Sequence, residues 1–173
     1  MPVSTSTTTP LLIVLGGLPG TGKTSIAKAL ATQLKCTYVR IDTIEQALLH
    51  ENCLHVRHEG YLLAYAIAAD NLRCGNNVIA DSVNPIPLTR AAWRDVAAQV
   101  PAHILEVEII CSDKDEHKRR VENRLADITG HKLPTWDEVI KRDYHPWDTA
   151  HLTIDTAHHS IASAVEEILK YVR

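Results

Sequence analysis

Gly17-Leu18-Pro19-Gly20-Thr21-Gly22-Lys23-Thr24 is the stretch whose reading decides the fold. It reads G-x-x-x-x-G-K-T, follows the apolar run Leu11 to Leu15, and leads into the helical pattern Ser25-Ile26-Ala27-Lys28-Ala29-Leu30. Strand, glycine loop and helix in that order distinguish a phosphate-binding P-loop from an ordinary glycine-rich turn. Gly17, Gly20 and Gly22 allow backbone conformations closed to other residues and a close approach to a ligand. Successive N–H groups then converge on phosphate oxygens, and the helix opening near Lys23 adds the positive end of its dipole. Lys23 is placed to reach the β- and γ-phosphates, and the Thr24 hydroxyl to ligate Mg²⁺. The predicted contacts to ATP are Gly17, Leu18, Pro19, Gly20, Thr21, Gly22, Lys23, Thr24 and Ser25.

Working outward, Lys23 to Leu34 forms a helix, with Ile26, Ala27, Leu30 and Leu34 on one face. Cys36 to Ile41 reads as a strand and ends on Asp42, a candidate cap for a helix through Leu49. Residues 51–57 are irregular. Glu59 to Arg73 is a strongly apolar helix stopped at Gly75. Asn77 to Asp81 is a short buried strand followed by the proline-punctuated loop Ser82 to Pro87. A helix capped by Thr89 runs through Gln99, with Trp93 and Val96 inward, and Ala102 to Ile110 is the fourth strand. A long charged helix spans Lys114 to about Ile128, and a capping box at Thr135 and Glu138 starts another, through about Tyr144. His151 to Ile154 is the fifth strand, and Ser160 to Val172 a final amphipathic helix. Alternating strands and helices predict an α/β fold, a parallel sheet with helices on both faces. Ligands of such sheets bind at the strands' carboxyl ends. The P-loop, Asp42, Asp81 and Ser112-Asp113 should therefore meet on one rim.

The chain has 173 residues, enough for a sizeable core, and a formal net charge of −3, which does not favour non-specific binding to nucleic acid or membrane. It contains no Phe, so Leu, Ile, Val and Ala must fill the core. Cys36, Cys53, Cys74 and Cys111 stand far apart and read as buried thiols in a reducing compartment. No apolar run approaches the roughly 20 residues needed to cross a bilayer. Residues 1–10 read as a disordered tail and residues 11–173 as one domain, in a cytoplasmic protein. The scattered histidines lack a complete metal-ligand set, and the tryptophans read as packing residues.

Asp42 either accepts or orients the proton of an acceptor hydroxyl across from the γ-phosphate, or caps its helix; the two are compatible. Asp81, after Val78-Ile79-Ala80, is either a Walker B acid holding Mg²⁺ or a loop-bracing acid. Lys118, Arg119, Arg120 and Arg124 are the main basic cluster. Arg120 and Arg124, four residues apart on one helical face, either close over ATP as part of a lid or belong to a solvated face paired with Asp115, Glu116, Glu122 and Asp127.

GLPGTGKTSIAKAL (Gly17–Leu30), RIDTIEQAL with Asp42, VIADSVNP (Val78–Pro85), RRVENR (Arg119–Arg124) and PTWDEVIKRDYHPWD (Pro134–Asp148) together resemble the small P-loop kinases of the nucleoside-monophosphate-kinase-like fold. The likeness extends to the AAA-type ATP-binding kinases that are similar to the kinase domain of polynucleotide kinase, chloramphenicol phosphotransferase and zeta toxins. It implies a five-stranded sheet of order 2-3-1-4-5 and ATP-dependent phosphorylation of a hydroxyl. It also implies Asp42 as base or hydroxyl-orienting group and Arg120 and Arg124 in a lid of about residues 119–134. Residues 43–73 would then form the acceptor-binding segment, with Glu45, His50, His55, Arg57, His58, Glu59, Tyr61 and Tyr65 available to line a pocket. The expectation is a small-molecule kinase with Lys23, Asp42, Arg120 and Arg124 catalytic, Thr24 and Asp81 on Mg²⁺, and ATP as donor. The rivals are a kinase of polynucleotide 5′-ends or nucleotide-sugars and a non-catalytic ATP-binding switch.

Overall fold

The computed structural model describes residues 9–51 and 58–172. The predicted tail falls mostly, and the irregular stretch after Glu51 wholly, outside the described residues. The elements are β1 (Leu11–Gly16), α1 (Lys23–Leu34), β2 (Thr37–Arg40), α2 (Ile41–His50), α3 (Glu59–Arg73), β3 (Val78–Asp81), α4 (Pro87–Gln99), β4 (His103–Ile110), α5 (Lys114–Asn123), α6 (Trp136–Ile140), β5 (Leu152–Asp155) and α7 (Ile161–Leu169). The five strands form one parallel sheet in the order β2-β3-β1-β4-β5.

Strand alternation divides the core into two layers. Leu12 and Val14 of β1, with Val78 and Ala80 of β3, face α3 and α4 through Ala64, Ala68, Leu72, Trp93 and Val96. Ile13, Leu15 and Ile79 face the other way, onto Ile26, Ala27 and Leu30 of α1 and Ala164, Val165 and Ile168 of α7. Helices therefore cover both faces, as expected of the central strands β1 and β3, whose residues are apolar on both sides up to the terminal Asp81. The lack of Phe is met by small aliphatics and by Trp93, fully buried and edge-on to Tyr65 with ring centroids 4.6 Å apart. No helix among the described residues is long and apolar enough to cross a membrane.

Several local expectations are corrected. Ile41 opens α2 rather than closing β2, so Asp42 lies inside the first helical turn and caps nothing. Thr89 is likewise inside α4: Pro87 starts that helix and Ile86 is the N-cap, so the Thr89 hydroxyl donates back to the Ile86 carbonyl. The charged helix stops at Asn123 instead of about Ile128, because Arg124 turns to an extended conformation (φ −71°, ψ 145°). Among the described cysteines only Cys111 is buried; Cys36 is half-buried and Cys74 exposed. The capping box of Thr135 and Glu138 is present, but α6 ends at Ile140.

The loop after β3 is pinned by a fully buried arginine. Arg90 donates to the carbonyls of Asn84 (3.0 Å), Pro85 (3.1 Å), His145 (2.5 Å) and Pro146 (2.9 Å), and its guanidinium lies 4.7 Å from the Trp147 ring. No carboxylate among the described residues takes part; carbonyl dipoles and the faces of Trp147 and Tyr144 meet the charge. Arg90→Leu should cost about 3–5 kcal/mol in urea unfolding, since it strands four carbonyls in a dry site; a loss under about 1 kcal/mol would mean that water replaces the guanidinium without penalty.

Candidate active site

The loop between β1 and α1 has the predicted geometry. Gly17, Gly20 and Gly22 have φ of 131°, 85° and 99°, a region that L side chains rarely enter. At Gly17 space forbids a side chain as well: a Cβ would fall 2.1 Å from the Ile109 carbonyl oxygen. The Gly17 amide donates to the Val83 carbonyl at 3.0 Å, which ties the loop to the end of β3. Thr21 is buried and its hydroxyl donates to the Leu18 carbonyl at 2.9 Å.

Lys23 is 7% exposed, and its ammonium donates to the Leu18 carbonyl at 2.8 Å. Burial lowers its pKa to about 8, opposed by the charges of Asp81 and Asp42 and aided by Arg124 and Arg142. It therefore remains mostly protonated at neutral pH.

Above the loop lies a cleft of about 830 Å³. Pro19, Gly20, Gly22, Lys23, Thr24 and Ser25 form its floor, while Gly17, Leu18 and Thr21 belong to the frame beneath. Asp42 of α2, Asp81 of β3, and Arg120 and Arg124 of α5 and its C-cap all face it. Seven Lys and Arg side chains line it against five Asp and Glu, so the site is locally positive although the whole chain is formally −3. Such a field favours a polyphosphate. Asp113 does not join the cleft; it caps α5, accepting from the Asp115 and Glu116 amides at 3.0 Å each.

Asp81 is 3% exposed, and its Oδ2 accepts from the Tyr38 hydroxyl at 2.7 Å. Burial and that carboxylate push the Tyr38 phenol far above its ordinary range. Among the described residues no His, Cys, Asp or Glu cluster of three or more forms a metal cage. Asp81 and Thr24 both line the cleft and suit Mg²⁺ in its usual mode of one or two protein oxygens completed by phosphates and water.

Arg120 is already engaged. Its Nε donates to Glu116 at 2.7 Å, and Nη1 and Nη2 donate to the Thr156 hydroxyl and carbonyl at 2.8 and 3.0 Å. The Thr156 hydroxyl donates to Thr21 O at 2.8 Å, and His117 Nε2 meets Pro19 O at 2.8 Å. Val121 approaches Gly20 so closely that a Cβ there would sit 2.5 Å from it. Thus α5 is anchored on the phosphate loop. Arg119 is an exposed partner of Glu116. Arg124 differs: it is half-buried, its Nε has no partner among the described residues, and burial lowers its pKa against the opposing charge of Asp42.

Three residues at the rim had not been singled out in the sequence as site groups. Arg40 donates to Asp127 at 2.8 Å and lies 3.5 Å from Asp42 and 3.9 Å from Asp81. Lys28 of α1 donates to the same Asp127 oxygen at 2.5 Å. Asp127, beyond the end of α5, thereby ties the segment over the cleft to its floor. These two cations hold the Asp127 carboxyl well below the usual carboxylate range, so the contact persists at any pH above about 4 and is lost only as pH falls below that. The sequence signal was slight: Lys28 is one helical turn after Thr24, and Arg40 precedes the strand-end Asp42 by two.

In the 43–73 segment, Glu45 faces the cleft. Tyr61 and Tyr65 serve the frame instead: the Tyr61 oxygen accepts from the Asn84 amide at 3.1 Å, and the Tyr65 hydroxyl donates to Thr89 O at 3.1 Å. His55 and Arg57 lie outside the described residues.

A family model described as "AAA domain" matches residues 12–142. No curated protein matches the sequence. The fold is shared with solved structures of low identity. The APS kinase CysC of Mycobacterium tuberculosis, in complex with AMPPNP and APS, superposes with a TM-score of 0.72 at 20% identity over 95% of this chain and 98% of its own. Kti12 of Chaetomium thermophilum, in complex with ADP-AlF3, gives a TM-score of 0.67 at 21% identity over 94% and 99%. A gluconokinase of Sinorhizobium meliloti gives 0.64 at 18% identity over 93% and 90%.

Proposed function

This chain belongs to the AAA domain family, and on that premise we propose that it is an ATP-dependent phosphotransferase that moves the γ-phosphoryl group of Mg-ATP to a hydroxyl of a small molecule. The observation that carries this is the convergence in one cleft of the phosphate loop with Lys23, the carboxylate of Asp42, and the half-buried guanidinium of Arg124, whose Nε has no partner among the described residues. That two of these neighbours in fold are kinases, one of them solved with AMPPNP, and that Kti12 was solved with ADP-AlF3, supports it.

In this mechanism the loop amides and Lys23 hold the β- and γ-phosphates. Thr24 and Asp81 hold Mg²⁺, which supplies neutralisation of phosphate charge. Asp42 takes the proton of the acceptor hydroxyl as that oxygen bonds to the γ-phosphorus and the bond from phosphorus to the departing ADP oxygen breaks. Arg124 turns toward the transferred charge, and Arg120 adds a fixed positive field from its anchor on Thr156. The moving part of the lid begins at Arg124, where α5 ends, with Asp127 as its latch on Lys28 and Arg40. Closure over the phosphates excludes water, the competing acceptor.

Asp127→Asn should raise the KM for ATP by up to about tenfold, the sum of two partly exposed ion pairs. The effect should shrink at high salt; a salt-independent change would indicate a different role for Asp127. The function itself is tested by incubating the protein with γ-labelled ATP and pooled sugars, nucleosides, antibiotics and 5′-hydroxyl oligonucleotides. Label in a small-molecule ester is the expected result. Label left in ATP, or released only as inorganic phosphate, would overturn it.

A further inference from the structure

Glu45 stands three residues after Asp42 on α2, which puts the two carboxylates on one face, one turn apart. Both line the cleft. Neither a hydrogen bond nor an ion pair reaches the Glu45 carboxylate among the described residues. Burial, reinforced by the charge of Asp42, raises its pKa to about 7, while Arg142 opposes the shift. Its position is imposed from below. Gly60, at the start of α3, is buried, and a Cβ there would fall 2.4 Å from Glu45 Cγ. Helix α3 thus leaves a notch in which this side chain rests. A half-buried carboxylate held in place with no hydrogen bond from the described residues is costly unless a ligand completes it.

The surroundings select the ligand's chemistry. Arg124, Lys132 and Arg142 line the same cleft, so a cationic amine would sit among three positive groups. An anion beside the reacting oxygen would face both Asp42 and Glu45. A monohydric alcohol would leave Glu45 unpaired. A neutral compound with two adjacent hydroxyls satisfies every group, because hydroxyls donate to carboxylates and accept from guanidinium.

Building on the phosphotransferase reading above, we propose that the acceptor is a vicinal polyol of the sugar class, with its reacting hydroxyl on Asp42 and the neighbouring hydroxyl donating to Glu45. Glu45 is then a specificity-determining residue, and Arg142 donates to the polyol from the facing wall.

The test measures transfer from Mg-ATP to a panel of aldoses, alditols, 2-amino sugars, nucleosides and monohydric alcohols. The best polyol is then compared with its analogue lacking the hydroxyl beside the phosphorylated one. For the wild type the deoxy analogue should show a KM about 10- to 100-fold higher, the loss expected for one hydrogen bond to a charged group. Glu45→Gln should raise the KM of the parent polyol by a similar factor, leave kcat within about threefold, and leave the KM of the deoxy analogue unchanged. Gly60→Ala, which keeps every carboxylate but displaces this one, should do the same. A purely structural role for Glu45 would move both compounds together. If Glu45→Gln treats the polyol as the wild type does, or the deoxy analogue equals its parent, the role of Glu45 is overturned while phosphoryl transfer stands. Preference for a 2-amino sugar, a 2′-deoxynucleoside or a monohydric alcohol overturns the polyol class alone. Transfer to nothing by protein that binds Mg-ATP overturns this proposal and the phosphotransferase reading together.

Discussion

Asp42→Asn should lower turnover about 10²- to 10⁴-fold, the range for loss of a general base, while Mg-ATP affinity changes little. Asparagine keeps the shape but cannot take the acceptor's proton. The rival role for Asp42, helix capping, predicts the opposite pattern: a stability loss of about 0.5–2 kcal/mol with turnover intact. In the structure Asp42 is inside the first turn of α2 and makes no cap bond, and its nearest ion-pair partner is Arg40 at 3.5 Å. Asp42→Asn should therefore lose only the modest attraction of a first-turn acid for the helix dipole and this partly exposed ion pair, each about 1 kcal/mol or less. Steady-state kinetics alongside urea denaturation of the one variant separates the two roles. Full turnover in Asp42→Asn would remove this residue from the chemistry.

Lys23→Ala should reduce both nucleotide affinity and turnover, with kcat down about 10²- to 10³-fold, the cost of removing one preorganised charge donor. The ammonium is almost fully enclosed and already fixed on the Leu18 carbonyl. It is therefore aimed at the cleft before any ligand arrives. Lys23→Arg should not rescue it, because a planar guanidinium does not reproduce the compact ammonium that donates to the Leu18 carbonyl. Calorimetric titration with a non-hydrolysable Mg-ATP analogue gives the affinity part. Unaltered binding in Lys23→Ala would mean that the loop amides alone hold the phosphates.

The parts of this architecture that were legible in the sequence rest on local signals. The limits of α1 follow from Gly22, whose left-handed conformation starts the helix, and from the apolar spacing of Ile26, Ala27 and Leu30. The sheet's two-sided burial follows from the alternation of strands with helices and from the apolar runs of β1 and β3. Its order came from the resemblance, because strand order is a long-range property that no local pattern encodes. The misplaced ends have local causes as well. α5 has helix-forming residues past Asn123, yet Arg124 leaves the helix where its guanidinium enters the cleft and Asp127 reaches Arg40 and Lys28, partners 87 and 99 residues away in sequence. Contacts of that separation are why the latch was not legible. The arginines' division of labour was hidden for the same reason. The four-residue spacing paired Arg120 with Arg124, but Thr156, which holds Arg120, lies 36 residues on. Glu45 was visible as one polar side chain among several; only the notch at Gly60 distinguishes it.

The central claim is that this cleft transfers the γ-phosphoryl group to a carbon-bound hydroxyl rather than to water or to nothing. Phosphorus NMR of the protein with Mg-ATP and a mixed sugar and nucleoside pool tests it most directly. The account predicts a phosphomonoester resonance growing in step with ADP, and its disappearance with Asp42→Asn. Inorganic phosphate as the sole new product, or bound ATP that is never consumed, would contradict it.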